Sequence, residues 1–304
     1  MMKGNVYYEL ANGLLNERPI EFPFTLNPST ILLDWKISHY CKLNCNYCFF
    51  DKKARGKKDF DKKAIAKAIE LIKTSNFDFV INVCGGEPFL VKKIYDILFQ
   101  IKEKSFFIIG TNLIYIDLKR FKSVVPKENV ILFPSYHYQF LKKRQQEIFI
   151  KKFLSLQESR YNIILLLVYD PNYTEEEMLD IIEDLKDQGI KNISLKAFIG
   201  SKHGKFFPKD NAVEYMTFMQ NNALLKSEID IATSRFNLFK KKCPAGDQYF
   251  HINVNGDISI CDMTKIKIGN VKELSSFEEI AFKSSFVCPK ETCFCLGPLI
   301  NIQK

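Results

Sequence analysis

The sequence predicts an α/β fold: a partial, TIM-like (β/α)6 barrel followed by a small α+β module. Two observations carry this. From about residue 31, short apolar runs alternate with amphipathic stretches, the pattern of βα units around a parallel sheet. After about Gly204 the alternation gives way to a helix-like run, a hairpin pattern and a cysteine-rich tail. With 304 residues and an apolar share of 46%, the chain can supply the core such an architecture needs.

The expected strands are Ile31 to Ile37, Phe79 to Val83, Phe106 to Ile109, Val130 to Phe133, Ile163 to Tyr169 and Ile193 to Phe198. Each is a short apolar run of the kind that both faces of a parallel sheet bury. Between them the spacing predicts helices over Lys62 to Lys73, with Ile65, Ile69 and Ile72 on one face, and over Val91 to Lys102, Ile116 to Ser123 and Gln145 to Leu156. The clearest helix is Thr174 to Gln188. Thr174 and Glu177 form a capping box, Met178, Ile181, Ile182 and Leu185 share a face, and Gly189 suits the stop. Six strands over about 170 residues fit an open six-unit barrel rather than a closed eight-unit one. Beyond it lie a helix-like stretch from Asn211 to Leu225 and a hairpin from Phe250 to Ile260 turning at Asn255-Gly256-Asp257. The expected division is an N-terminal extension over 1–30, a barrel over 31–204 and a second module over 205–304.

Composition narrows the class. Met1 to Leu10 does not resemble a cleaved signal, and the longest apolar run, Ile163 to Tyr169, is too short to span a bilayer, so a soluble cytoplasmic protein without membrane contact is expected. The net charge of +9 is spread over short lysine runs such as Lys52-Lys53, Lys57-Lys58 and Lys240-Lys241-Lys242. A solvated surface accounts for most of it. No groove-reading or stacking motif accompanies the charge, so nucleic acid is not an expected partner; an anionic substrate is equally compatible with it. Nine cysteines, an odd number, argue against a complete disulfide framework. Three fall within eight residues, five lie between 243 and 295, and Cys84 stands alone.

In parallel α/β folds chemistry sits at the C-terminal ends of strands, so functional motifs should directly follow them. Cys41, Cys45 and Cys48 follow the first strand with CxxxCxxC spacing. Three thiolates so placed can hold three corners of a [4Fe–4S] cluster and leave its fourth iron open. A structural zinc site is the alternative, but zinc normally takes four protein ligands, and His39 is the only nearby candidate for a fourth.

With Tyr47 just before the last cysteine, this stretch resembles the signature of the radical S-adenosylmethionine (SAM) superfamily. The resemblance implies a SAM-binding [4Fe–4S] cluster with an open iron site. Its reduction cleaves SAM to methionine and a 5′-deoxyadenosyl radical, which abstracts hydrogen from a substrate. Gly85-Gly86-Glu87-Pro88 follows the second strand and is similar to the family's GGEP motif, whose backbone and glutamate receive the SAM amino group. Glycines there suit close backbone approach, and a carboxylate pairs with an ammonium. Thr111-Asn112 follows the third strand like the family's TN motif. Ser135 and His137 follow the fourth, where the family often contacts the ribose or carboxylate of SAM. Taken alone, these two stretches read as a turn and as a surface or core histidine.

The hairpin brings Cys243 and Cys261 together, and Cys288, Cys293 and Cys295 supply further thiolates. This tail, with Gly269-Asn270-Val271, resembles the twitch or SPASM modules of radical SAM enzymes and implies a second, auxiliary [4Fe–4S] cluster. A complete SPASM tail has a longer cysteine series, so five cysteines favour twitch. A zinc knob with four cysteine ligands is the alternative that spacing alone does not exclude, while the hairpin matches the radical SAM context.

Cys84 is the candidate catalytic hydrogen donor, because some radical epimerases return a hydrogen atom from a cysteine. The simpler reading is a small buried residue in a place otherwise taken by Ser or Thr. Tyr136, His203 and His251 could meet a substrate, yet each reads more simply as a partly buried amphipathic side chain. The resemblance implies an oxidoreductase or epimerase served by a reducing partner such as flavodoxin or ferredoxin. A small-molecule or carbohydrate substrate is favoured over a peptide, since about thirty residues before the barrel are too few for a separate peptide-recognition domain. A non-catalytic iron–sulfur or zinc-binding protein is the rival from another class.

Overall fold

The computed structural model describes residues 29–48, 50, 52–57, 60–170, 173–202, 205–207, 210–233, 239–281, 286–290 and 293. His203 and Cys295 lie outside the described residues.

Strand β1, Thr30–Ser38, alternates as a strand buried on both faces must. Ile31, Leu33, Trp35 and Ile37 join the large apolar cluster formed with the helices, while Leu32 joins a second cluster on the opposite, inner face of the sheet. Helix α1, Lys52–Gly56, precedes α2, Lys62–Thr74, whose N-cap Asp61 accepts from the backbone N–H groups of Lys63 and Ala64. There follow β2, Asp78–Gly85; α3, Ile94–Ile101; β3, Ser105–Thr111; α4, Leu118–Val124; β4, Val130–Pro134; and α5, Lys143–Glu158. The four strands pair in parallel in the order β1-β2-β3-β4.

The expected fifth strand is broken. Its first residues form β5, Asn162–Ile163, which pairs with β4, and the rest form β6, Leu165–Tyr169, which pairs with β7, Ile193–Ala197. An isolated parallel bridge from Ser135 to Leu166 carries the wall across the break. A continuous apolar run leaves no local trace of such a change of partner. Between β6 and β7 lies α6, Glu175–Asp187. Its capping box is as expected: Glu177 N–H donates to Thr174 Oγ1 at 3.2 Å, and Thr174 N–H donates to Glu177 Oε2 at 2.8 Å. A short hairpin, β8 (Gly200–Lys202) and β9 (Lys205–Phe207), follows, then α7, Val213–Asn222, and α8, Lys226–Ala232. Neither the short hairpin nor α1 and α8 has a clear signal in the sequence.

The distal hairpin is formed by β11, Tyr249–Ile252, and β12, Asp257–Ser259, extended by β13, Lys267–Asn270. Strand β11 also pairs in parallel with β1, Leu32 opposite Tyr249 and Trp35 opposite Ile252. The result is one eight-stranded sheet, β13-β12-β11-β1-β2-β3-β4-β5, running from the cysteine-rich module into the barrel. At the hairpin turn Gly256 has φ +85°, and a Cβ there would stand 2.8 Å from the Ala64 Cβ of α2. Two more short strands, β10 (Lys242–Cys243) and β14 (Phe286–Val287), pair antiparallel. No helix among the described residues is long and apolar enough to cross a membrane.

Candidate active site

The loop that leaves β1 carries Cys41, Cys45 and Cys48 and is held from two directions. Cys41 N–H donates to the Arg55 carbonyl at 3.0 Å, and Cys48 N–H to the Cys45 carbonyl at 3.4 Å. From the β2 side, Gly86 N–H donates to the Ser38 carbonyl at 2.7 Å and Glu87 N–H to the Tyr40 carbonyl at 2.9 Å. The two glycines are required by this contact. A Cβ on Gly85, at φ +119°, would stand 2.2 Å from the Ser38 carbonyl oxygen, and one on Gly86 would stand 2.3 Å from that of Tyr40. The close approach expected toward a ligand is thus also one between the glycine backbone and the cysteine loop.

Glu87 is buried and ties the second loop to the third. Its Oε1 accepts from Thr111 Oγ1 at 2.8 Å and from Phe89 N–H at 3.1 Å, and its Oε2 accepts from Asn112 N–H at 2.7 Å. Burial pushes its carboxyl up to about 7, against the downward pull of those donors. The fourth loop reaches back to the first: Tyr47 OH lies 2.8 Å from His137 Nδ1. Burial lowers His137 to about 4 and raises the Tyr47 phenol. The imidazole is therefore neutral near pH 7, and its Nδ1 and the Tyr47 hydroxyl share one hydrogen bond.

These loops line an open cavity of about 250 Å³. Its lining brings together Cys41, Cys45, Tyr47, Cys48, Cys84, Gly85, Gly86, Glu87, Thr111, Asn112, Ser135 and His137, all singled out from sequence. Pro88 is buried behind it, opening a 3-10 turn. Sequence reasoning missed Arg55 and Lys196, which also line the cavity. Lys196 lies opposite Val168 on the β6–β7 wall, and its Nζ is 3.1 Å from Glu228 Oε1. Its inward position was readable from strand alternation, whereas Arg55 sits in a lysine-rich stretch that reads as solvated surface.

Cys84 lines the same cavity and donates through Sγ to Asp34 Oδ1 at 2.9 Å. Burial raises its thiol well above the ordinary value. Asp34 also accepts from Asn82 Nδ2 at 2.8 Å and from Tyr249 OH at 3.3 Å, and His251 Nδ1 stands 3.5 Å away. His251 is thus buried in the sheet interior, beside Asp34 rather than in the cavity lining. Tyr136 is buried against Phe149 and lies outside that lining too.

A second thiol group forms around the distal hairpin. Pairing of β10 with β14 sets Cys243 opposite Phe286, Cys288 N–H donates to the Lys241 carbonyl at 3.0 Å, and Cys261 follows β12. Cys243, Cys261, Cys288 and Cys293 are all buried. Burial first, then the proximity of Cys293, Cys288 and Cys261, pushes the Cys243 thiol up to about 11. All the described cysteines are free thiols.

The donor sets fit iron–sulfur clusters. Cys45 is pushed up to about 12 by burial and then by Cys41 and Cys48, so three neighbouring thiolates need bound cations to offset their charge. Among the described residues no three His, Cys, Asp or Glu side chains converge on a single ion-sized point. A cubane instead spreads its ligands over several irons.

The radical SAM superfamily profile matches residues 35–203, and the chain belongs to that superfamily. The profile of the SPASM iron–sulfur cluster-binding domain matches residues 243–293, where the cysteine count alone had favoured the shorter twitch type. SAM, a [4Fe–4S] cluster and auxiliary iron–sulfur binding are therefore its cofactor chemistry. No curated protein is a significant match in sequence. Among solved structures, the chain is similar to native anSMEcpe with bound AdoMet and Cp18Cys peptide, with TM-score 0.59 and 18% identity, over 83% of this chain and 80% of that one. It is also similar to Streptococcus suis SuiB, with TM-score 0.57 and 18% identity, over 84% of this chain and 66% of that one. SuiB bound to its precursor peptide SuiA matches with TM-score 0.57 and 17% identity, over 92% of this chain and 68% of that one. At these identities the likeness concerns the fold.

Proposed function

We propose that this radical SAM enzyme abstracts hydrogen from an unactivated carbon of a peptide substrate. The observation that supports the substrate class is the likeness of the fold to anSMEcpe with bound Cp18Cys peptide and to SuiB bound to its precursor peptide SuiA. It reverses the preference for a small molecule or carbohydrate drawn from sequence.

In this reading Cys41, Cys45 and Cys48 hold the SAM-binding cluster, and Cys243, Cys261, Cys288 and Cys293 hold an auxiliary one. When bound, the reduced cluster and SAM supply a 5′-deoxyadenosyl radical. The residues of the chain bind and orient. Glu87 places a carboxylate for the SAM ammonium between the second and third loops, and a nearby cation would draw its raised pKa back down. His137, held at Nδ1 by Tyr47, presents its Nε2 to the cofactor's polar groups. Val168 and Phe198 keep water from the substrate side, and Lys196 presents a positive charge there. Cys84, kept as a thiol, lines the same cavity and is the hydrogen donor in this reading.

The test is anaerobic turnover of the reconstituted, dithionite-reduced protein with SAM and a panel of peptides and sugars. The expected outcome is 5′-deoxyadenosine released in step with a mass change on a peptide. Release coupled to a sugar instead would overturn the substrate class, and no release at all would overturn the activity.

A further inference from the structure

Among the described residues, Arg55 is a buried cation without a carboxylate partner. It is only 6% exposed and lines the cavity beside the cysteine loop. Its Nη1 donates to the carbonyls of Leu43 at 3.3 Å and Cys45 at 3.2 Å, while its own carbonyl receives Cys41 N–H. Its Nε is fully buried and makes no hydrogen bond. A buried guanidinium with a donor left over is costly unless a negative group stands beside it. The bonds of Arg55 with the Cys45 carbonyl and the Cys41 N–H place its charge against the loop that carries both cysteines.

We propose that Arg55 is a tuning residue for the first cluster, its buried charge stabilising the reduced form. An oxidised cubane with three thiolates is net anionic, and one-electron reduction adds a further negative charge, so a fixed cation nearby raises the reduction potential. The carbonyl clamp holds the guanidinium in place, and the free Nε–H is the donor left for the cluster or its ligands. This inference rests on Cys41, Cys45 and Cys48 holding that cluster.

The test compares the reconstituted wild type with R55K, which keeps the charge, and R55M, which does not, by iron and sulfide content and by EPR-monitored redox titration. R55M is expected to lower the midpoint potential of the first cluster, with about a tenfold smaller reduced-to-oxidised ratio at a fixed potential, equivalent to about 59 mV for one electron. R55K is expected to stay near wild type, and the auxiliary cluster to be unchanged in both. Failure of R55M alone to load the first cluster would overturn the proposal, because Lys keeps a donor for the Leu43 and Cys45 carbonyls as well as the charge, and the residue would then serve loop structure. An unchanged potential in fully loaded R55M overturns it, as does failure of both variants to load, which would assign Arg55 to loop structure. A wild type without the first cluster would instead sink the ligand assignment beneath it.

Discussion

Tyr47 and Glu87 each join loops that are far apart in sequence, and each makes a prediction. Tyr47→Phe leaves the half-buried Nδ1 of His137 without its partner, at a cost of about 1 kcal/mol. Chemical denaturation should show that loss together with weaker SAM binding, and unchanged stability would remove the bond from the account. For Glu87 the sign follows from a carboxyl raised from 4.5 to about 7. The folded state favours the protonated form, so its contribution is complete below about pH 4.5 and is lost as pH rises through about 7. The stability of the wild type relative to Glu87→Gln should therefore fall by up to about 3 kcal/mol across that window. A pH-independent difference would contradict the cause given. At this scale the cavity was largely legible, because its motifs are contiguous and follow strands. Arg55 was not, since nothing local separates one buried arginine from the lysines around it.

The loops after β1 and β2 behave as one element. Gly86→Ala would drive a Cβ into backbone carbonyl oxygens of His39 and Tyr40, 2.4 and 2.3 Å away, neither of which can rotate aside. A cost of about 3 kcal/mol or more is expected, and iron analysis of the reconstituted variant should show loss of the first cluster with the auxiliary one retained. Full loading would show that the contact is dispensable. The strands of the barrel were readable to within a residue or two because their apolar runs are bounded and alternate with amphipathic helices. The break before β6 was not, because Ile163 to Tyr169 is apolar throughout. The hairpin turn was found from Asn255-Gly256, yet the glycine is there as much for the packing on α2 as for its own turn.

For the whole molecule, the pairing of β11 with β1 decides how separable the cysteine-rich module is. A chain ended after Thr233 would expose the edge of β1 and the inner-face Leu32 that Tyr249 helps bury. Such a truncation should be insoluble or should exchange the β1 amides rapidly, measured by hydrogen exchange. A stable, soluble barrel would instead favour an independent second module over 205–304. No sequence pattern announces this pairing, because hydrogen bonds between segments more than two hundred residues apart leave no local periodicity.

The same pairing poses a fidelity problem, since parallel partners so distant in sequence must find one alignment among several slips. The polar group around Asp34 acts as the key. Slipping β11 by one residue would turn His251 and Tyr249 toward the helices and bring Phe250 and Ile252 against a buried carboxylate. Misaligned assembly is thus penalised by a stranded charge, and the cavity-lining Cys84 is anchored by the very residue that proofreads the sheet.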